Sequence, residues 1–275
     1  MIPIRDYNPT TRRPYVTVSL IAACVLVFLW QMSLDPRSGQ VMVQQLGFIP
    51  ALLFGEAAFA PGAGLVPSWV TLFTSMFLHG GLMHLGGNML YLWIFGNNIE
   101  DVMGHGRYLV FYLLCGLLAA MAQALPDTGS TLPMIGASGA ISGVLGAYLL
   151  LFPKAKVQVI IPIGFFIMRT LPAAWLLGIW IAFQVISGLS AGIAGGGVAW
   201  WAHVGGFVAG MALVHVFRQK EAAKPLDPGP PSERVSSQPI GQSRIPNSGS
   251  ARRNPTEPPP LPGGQAPRKP GQSEP

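Results

Sequence analysis

Residues 136–152 read Gly-Ala-Ser-Gly-Ala-Ile-Ser-Gly-Val-Leu-Gly-Ala-Tyr-Leu-Leu-Leu-Phe, a run without a charged side chain that ends shortly before Lys154. At about 1.5 Å per residue, a helix of this length covers about 25 Å, most of a bilayer core about 30 Å thick. Gly139 and Gly143 lie four residues apart, a spacing that allows helix backbones to approach closely. The stretch therefore predicts a closely packed membrane helix with a polar group, Ser138, near one end.

Similar apolar runs recur on both sides of this stretch. Half of the 275 residues are hydrophobic and only 10% are charged, a balance that is unusual for a soluble domain of this size. The pattern predicts an all-α membrane protein with a bundle of six transmembrane helices. The predicted spans are Tyr15–Met32, Gly81–Asn97, Tyr108–Leu125, Gly136–Phe152, Leu171–Gly188 and Val198–Phe217.

The positions of the basic residues predict how the chain is oriented, because short cytoplasmic loops carry an excess of Lys and Arg. With six spans, both termini lie on one side. The basic residues on that side are Arg5, Arg12, Arg13, Arg107, Lys154, Lys156, Arg169, Arg218, Lys220 and Lys224. The opposite side carries only Arg37. We therefore expect a protein of the cell inner membrane or plasma membrane with both termini in the cytoplasm. The net charge of +6 is then a topology signal, and no nucleic-acid partner is predicted.

Two regions of different composition divide the chain. Residues 1–218 contain all six predicted spans, whereas residues 219–275 hold 14 of the 26 prolines and almost no large apolar side chain. A segment of this composition cannot bury enough apolar surface to form a core. We expect a membrane domain over residues 1–218, followed by a disordered, proline-rich cytoplasmic tail.

Polar side chains on the second, fourth and sixth predicted spans lie at a common depth. Ser138, His203 and Asn88 each lie about 20 Å from the cytoplasmic end of their own predicted span, and His84 lies one turn beyond Asn88. Polar residues inside a membrane are costly and mark functional sites by default. The four side chains therefore form a candidate site about 10 Å below the outer surface.

These residue types suit acyl transfer. A serine hydroxyl needs a neighbouring base, and the neutral imidazole of His203 suits that role beside Ser138, while Asn88 and His84 can donate to an oxyanion. No carboxylate is available at this depth, so the pair would act as a dyad whose imidazole is oriented by packing. Two alternatives remain open at this point: a metal site formed by His79, His84 and His203, and a transporter.

Three motifs on these spans resemble those of the rhomboid family of intramembrane serine proteases. Gly136, Ser138 and Gly139 match its GxSG nucleophile motif. His79, His84 and Asn88 match its HxxxxHxxxN pattern, and Ala202, His203, Gly206 and Gly210 match its AHxxGxxxG motif. The resemblance extends over roughly Tyr15 to Phe217 and includes the order of the motifs along the chain.

The resemblance implies a serine endopeptidase of the bacterial six-span form that cleaves transmembrane protein substrates near the outer face of the membrane. Ser138 would be the nucleophile, His203 the base, and Asn88 and His84 the oxyanion groups, with no cofactor and no metal. The partners would be transmembrane substrates and membrane lipid, and the oligomeric state stays open. A rhomboid-like protein that binds transmembrane clients without cutting them is a further alternative.

The chain departs from the family pattern at two places. Val70 and Thr71 replace a Trp-Arg pair of the first loop. Ser142 stands where an aromatic side chain of several members packs on the catalytic histidine, and Tyr148 or Trp201 are the residues that we expect to take over this packing.

Overall fold

The computed structural model of the protein describes residues 1–60, 64–162, 166–191 and 197–219. The predicted tail lies outside these residues, apart from Gln219. The elements are, in chain order, β1 (Ile2–Asp6), α1 (Tyr15–Ser33), α2 (Pro36–Leu46), α3 (Pro50–Phe54), α4 (Thr71–Thr74), a 3₁₀ turn (Ser75–Phe77), α5 (Leu82–Met103), α6 (His105–Ala124), α7 (Ser138–Leu151), β2 (Lys156–Pro162), β3 (Phe166–Pro172), α8 (Ala173–Ala191) and α9 (Trp200–Phe217).

The chain is mostly helical, and four of the described helices are long and apolar enough to cross a membrane. These are α1, α6, α8 and α9, which correspond to the first, third, fifth and sixth predicted spans. The fourth predicted span is the shorter apolar helix α7, with 14 residues. The second corresponds to α5, which is long enough at 22 residues but carries Asn97, Asn98, Glu100 and Asp101 in its last two turns. The protein is a multi-pass membrane protein.

Helix α7 lies at the centre of the helical core. All of its residues from Gly139 to Tyr148 are buried, and it packs against α9, α6 and α5. Glycines allow α7 and α9 to approach backbone to backbone: a Cβ atom on Gly206 would overlap the carbonyl oxygen of Gly139, and one on Gly210 would overlap the carbonyl oxygen of Gly143. This close approach sets the relative position of the two helices that carry Ser138 and His203.

The prediction of an all-α protein is wrong, because the described residues also form a three-stranded sheet. Strand β2 pairs antiparallel with β1 on one side and with β3 on the other, with Ile2 opposite Ile160 and Ile160 opposite Met168. The β-branched run Val-Gln-Val-Ile-Ile at 157–161 favours a strand. Because the third strand continues to Pro172, α8 begins at Ala173 rather than at the predicted Leu171.

Besides pairing with β2, the N-terminal strand β1 contacts α7. The hydroxyl of Tyr148 donates to a carboxylate oxygen of Asp6 at 3.0 Å. Burial raises the pKa of the Asp6 carboxyl to about 6, and the hydrogen bond from Tyr148 offsets part of that rise. The end of α7 opposite Ser138 is thus held by a carboxyl group whose ionised form is disfavoured.

We expect Gly210→Ala to lower the midpoint of thermal unfolding in detergent, because the new methyl group must separate α7 from α9. Overpacking of this kind costs about 1–3 kcal/mol, which outweighs the helix-propensity gain of about 1 kcal/mol that alanine brings. The matched control is Gly178→Ala on α8, where a Cβ atom meets nothing within 4 Å. A Gly210→Ala protein that unfolds at the same temperature as the control would contradict the close approach.

The raised pKa of Asp6 predicts a pH-dependent effect of Asp6→Asn on stability. The unfolded carboxyl ionises near pH 4 and the folded one near pH 6, so the wild type loses stability as the pH rises between these values. At pH 4 both proteins should unfold at the same temperature, whereas above pH 6.5 the Asn variant should unfold several degrees higher. Thermal unfolding in detergent over this range measures the difference. A constant offset at every pH would argue against a buried, titrating Asp6.

Candidate active site

The structure places Ser138 and His203 in direct contact. Ser138 is the first residue of α7 and His203 lies in the first turn of α9, and the serine Oγ atom is 2.8 Å from the imidazole Nε2 atom. Since Nε2 can accept the hydroxyl proton only when it carries no hydrogen, this contact fits a neutral ring protonated at Nδ1. A serine beside such a nitrogen has the partner that an activated nucleophile requires.

The other ring nitrogen of His203 contacts a residue that the sequence analysis does not single out. Its Nδ1 atom lies 2.7 Å from the amide oxygen of Gln184 on α8. The rings of Trp180 and Trp200 lie 6.0 and 6.4 Å from the imidazole, measured between centroids. A polar side chain inside an otherwise apolar span was the available signal for Gln184.

We expected Tyr148 or Trp201 to pack on His203, but the aromatic rings next to its imidazole are those of Trp180 and Trp200. Tyr148 packs against Phe95 and donates to Asp6 instead. Ser142 makes the bond expected of a serine inside a helix, since its hydroxyl donates to the carbonyl oxygen of Ser138 at 2.6 Å.

His84, near the start of α5, lies beside the nucleophile. The backbone N–H of Gly80 donates to its Nδ1 atom at 3.3 Å, so the proton of the neutral ring is on Nε2. A Cβ atom on Gly136 would lie 2.9 Å from this Nε2 atom and 3.7 Å from the Ser138 hydroxyl. The gap left by the glycine side chain therefore lies between a nitrogen that can donate and the serine oxygen.

Asn88 lies one turn further along α5 and is buried, and its amide nitrogen has no hydrogen-bond partner among the described residues. An unpaired buried donor is costly, and this one is free to donate to a ligand. His79 is held differently: its backbone exchanges two hydrogen bonds with the side chain of Gln31, and its ring packs edge-on against that of His84. His79 thus supports the position of His84.

One cavity is lined by Ser138, and a second lies beside His84. A cavity of about 20 Å³ next to Ser138 is lined by Gly116, Ala119 and Ala120 of α6, among others. A larger one of about 290 Å³ is bounded by His84 and Trp201. A single water needs roughly 10–15 Å³, so the small cavity admits a group of about that size. In the part of the chain that the structure describes, no three His, Cys, Asp or Glu side chains are grouped as a metal site requires.

Comparison with known proteins identifies the family. The sequence profile of the Rhomboid domain matches residues 66–220, more than half of the chain. The chain belongs to the rhomboid family. The matched residues of this rhomboid protein include His79, His84, Asn88, Ser138 and His203.

Several curated rhomboid proteins are similar over part of their length. Rhomboid protease GluP of Bacillus subtilis is 43% identical over 81 residues, which are 30% of this chain and 15% of that protein. Mitochondrial rhomboid protein 1 of Saccharomyces cerevisiae is 30% identical over 155 residues, or 53% of this chain and 41% of that protein. The human mitochondrial presenilin-associated rhomboid-like protein is 30% identical over 144 residues, or 51% and 34%. The chain thus spans less than half the length of each of these relatives.

We expect Gly136→Ala to lower the rate at which a serine-directed fluorophosphonate modifies Ser138 by at least about tenfold. The backbone of Gly136 has a φ of 124°, which a residue with a side chain adopts at a cost of about 1–3 kcal/mol, and the methyl group would meet the His84 ring. Gly81→Ala is the matched control, because a Cβ atom there meets nothing within 4 Å. Equal rates in the two variants would show that this gap is not part of the reactive site.

Proposed function

We propose that this rhomboid protein is an intramembrane serine endopeptidase, with Ser138 as nucleophile and His203 as general base. The observation that carries the proposal is the 2.8 Å contact between the Ser138 hydroxyl and the Nε2 atom of His203. Membership of the rhomboid family, and similarity to rhomboid protease GluP of Bacillus subtilis, support the same reaction class.

The reaction follows from the chemistry of the two side chains. His203 takes the hydroxyl proton as the Ser138 oxygen attacks the peptide carbonyl carbon, which gives a tetrahedral intermediate with a negative oxygen. The imidazolium then returns this proton to the leaving amine as the C–N bond breaks, and an acyl-enzyme remains. A water molecule, deprotonated by the same imidazole, hydrolyses the ester and restores the free serine.

Donors around the nucleophile would stabilise the negative oxygen. The Nε2–H group of His84 and the unpaired amide of Asn88 are side-chain donors, and the first N–H groups of α7 have no acceptor within that helix. The positive end of the α7 dipole adds to the same effect. One such donor is typically worth about a hundredfold to a thousandfold in turnover. The reaction assigned to these residues uses neither a metal nor a cofactor.

We further propose that six helices cross the membrane: α1, α5, α6, α7, α8 and α9. The 14 residues of α7 cover only about 21 Å, but both ends can stop inside the protein because neighbouring helices surround it. Basic residues cluster on the side that carries the N-terminus, which supports an orientation with both termini in the cytoplasm and Ser138 towards the outer face of an inner or plasma membrane.

Transmembrane protein segments are the proposed substrates. A peptide bond within a helix is shielded by its own hydrogen bonds, so a cleavable segment must unwind near Ser138. The cavity of about 20 Å³ beside the serine favours small side chains at the bond that is cut. Cleavage near the outer end of a helix that contains small or helix-breaking residues fits this geometry.

The test is active-site labelling of the full-length protein in detergent with a fluorescent fluorophosphonate. We expect label at Ser138 in the wild type and none in Ser138→Ala or His203→Ala, because reaction requires a hydroxyl activated by a neighbouring base. Labelling should also survive treatment with a chelator.

Ser142→Ala is the matched control, since the Ser142 hydroxyl contacts a carbonyl oxygen rather than His203. It should label like the wild type. Thermal unfolding establishes that each variant is folded. A folded wild type that stays unlabelled, under conditions that label a known rhomboid protease, would contradict the enzyme in favour of a client-binding protein.

A further inference from the structure

The contact between Gln184 and His203 adds a third member to the proposed Ser138–His203 pair. Gln184 lies on α8 and only 5% of it is exposed. Its amide oxygen is 2.7 Å from Nδ1 of His203, on the opposite side of the ring from the nitrogen that contacts Ser138. Three side chains from three helices therefore form one continuous chain of hydrogen bonds.

This contact determines which ring nitrogen carries the proton. With the amide oriented as in the structure, its oxygen can only accept, so Nδ1 donates to Gln184 and the proton of the neutral ring is on Nδ1. Nε2 is then left with a lone pair facing the hydroxyl of Ser138. The opposite tautomer would place a hydrogen between Nε2 and the serine and leave two nonbonded acceptors facing each other at Nδ1. In this orientation of its amide, Gln184 favours the form of His203 that can act as a base.

Helix α8 also holds the ring through packing. Trp180 lies one turn before Gln184, and its ring is 6.0 Å from the centroid of His203 and 6.0 Å from that of Phe207. The amide bonds the edge of the imidazole while the indole limits its tilt. Packing alone cannot distinguish the two ring tautomers, because they have nearly the same shape. The hydrogen bond from Nδ1 to Gln184 is the contact that can distinguish them.

A neutral amide suits this location better than a carboxylate. A buried carboxylate inside a membrane is costly unless it is paired, and its cost falls on the resting state, in which the imidazole is neutral. An amide offers the same acceptor oxygen without that charge. It orients the ring and leaves the stabilisation of the transient imidazolium to the rest of the site.

We propose that Gln184 is a positioning residue of the proposed protease, which holds His203 in the tautomer that accepts the Ser138 proton. The inference rests on the proposed function, since it assigns Gln184 a role in the same reaction. Gln184 does not itself contact Ser138 in the described structure and is not a catalytic residue.

The test compares Gln184→Met, which keeps the size but removes the acceptor, with Gln184→Glu, which retains an acceptor oxygen in either protonation state. The reaction of Ser138 with a fluorescent fluorophosphonate yields two constants, the maximal rate of modification and the half-saturating probe concentration. We expect the Met variant to lose about 10- to 100-fold in the maximal rate, because Nδ1–H is left unpaired in the reactive tautomer. The half-saturating concentration should stay the same, and the Glu variant should recover most of the lost rate.

Ile186→Met is the matched control. Ile186 lies on α8 and is 63% exposed, so this substitution introduces the same side chain away from His203. It should react like the wild type. The variants are compared only after thermal unfolding in detergent shows that they are folded. Equal maximal rates in the wild type and the Met variant, or equal losses in the folded Met and Glu variants, would overturn the role of Gln184.

The design separates the two proposals. An unreactive wild type would contradict the proposed protease as a whole. A wild type that reacts at Ser138, together with an equally reactive Gln184→Met protein, would contradict the positioning role alone.

Discussion

The close approach of α7 and α9 is the contact on which the arrangement of the site depends. Backbone meets backbone where Gly206 faces the carbonyl of Gly139 and where Gly210 faces that of Gly143. In a membrane, helices gain little from burying apolar surface against each other, so this packing and the polar contacts across it provide much of their attraction. Because Ser138 directly precedes Gly139 and His203 lies one turn before Gly206, the crossing brings hydroxyl and imidazole within hydrogen-bond distance.

The surrounding helices complete the polar site with uncharged groups. Helix α5 contributes His84 and Asn88, and α8 contributes Gln184. A permanent charge at this depth would carry a desolvation cost that neutral amides and imidazoles avoid. The arrangement therefore achieves orientation by hydrogen-bond geometry rather than by ion pairing, which is the physical reason that the proposed enzyme works without an acidic third residue.

Carboxyl groups hold the ends of α1, α5 and α7 that lie away from the candidate site. Glu100 accepts hydrogen bonds from the backbone N–H groups of Val16 and Thr17, at the start of α1, and pairs with His105 at 2.6 Å. Asp6 accepts from Tyr148 near the end of α7. The Glu100 carboxylate satisfies N–H groups that the first turn of α1 leaves unpaired. The polar chemistry of the fold is thus divided between the amides and imidazoles near Ser138 and the carboxyl groups at the other helix ends.

The amino-acid sequence by itself determined the membrane class, the approximate extent of most helices, the family motifs and the candidate residues Ser138, His203, Asn88 and His84. Apolar run length and motif order are local properties, so they can be read without coordinates. The roles of these residues in catalysis stay a proposal. Only the tertiary structure decided that residues 2–6 pair with residues 157–160, because a strand finds its partner through contacts far apart in the chain. It also decided that Trp180 and Gln184 contact His203, since the side of α8 that faces α9 depends on how the two helices pack.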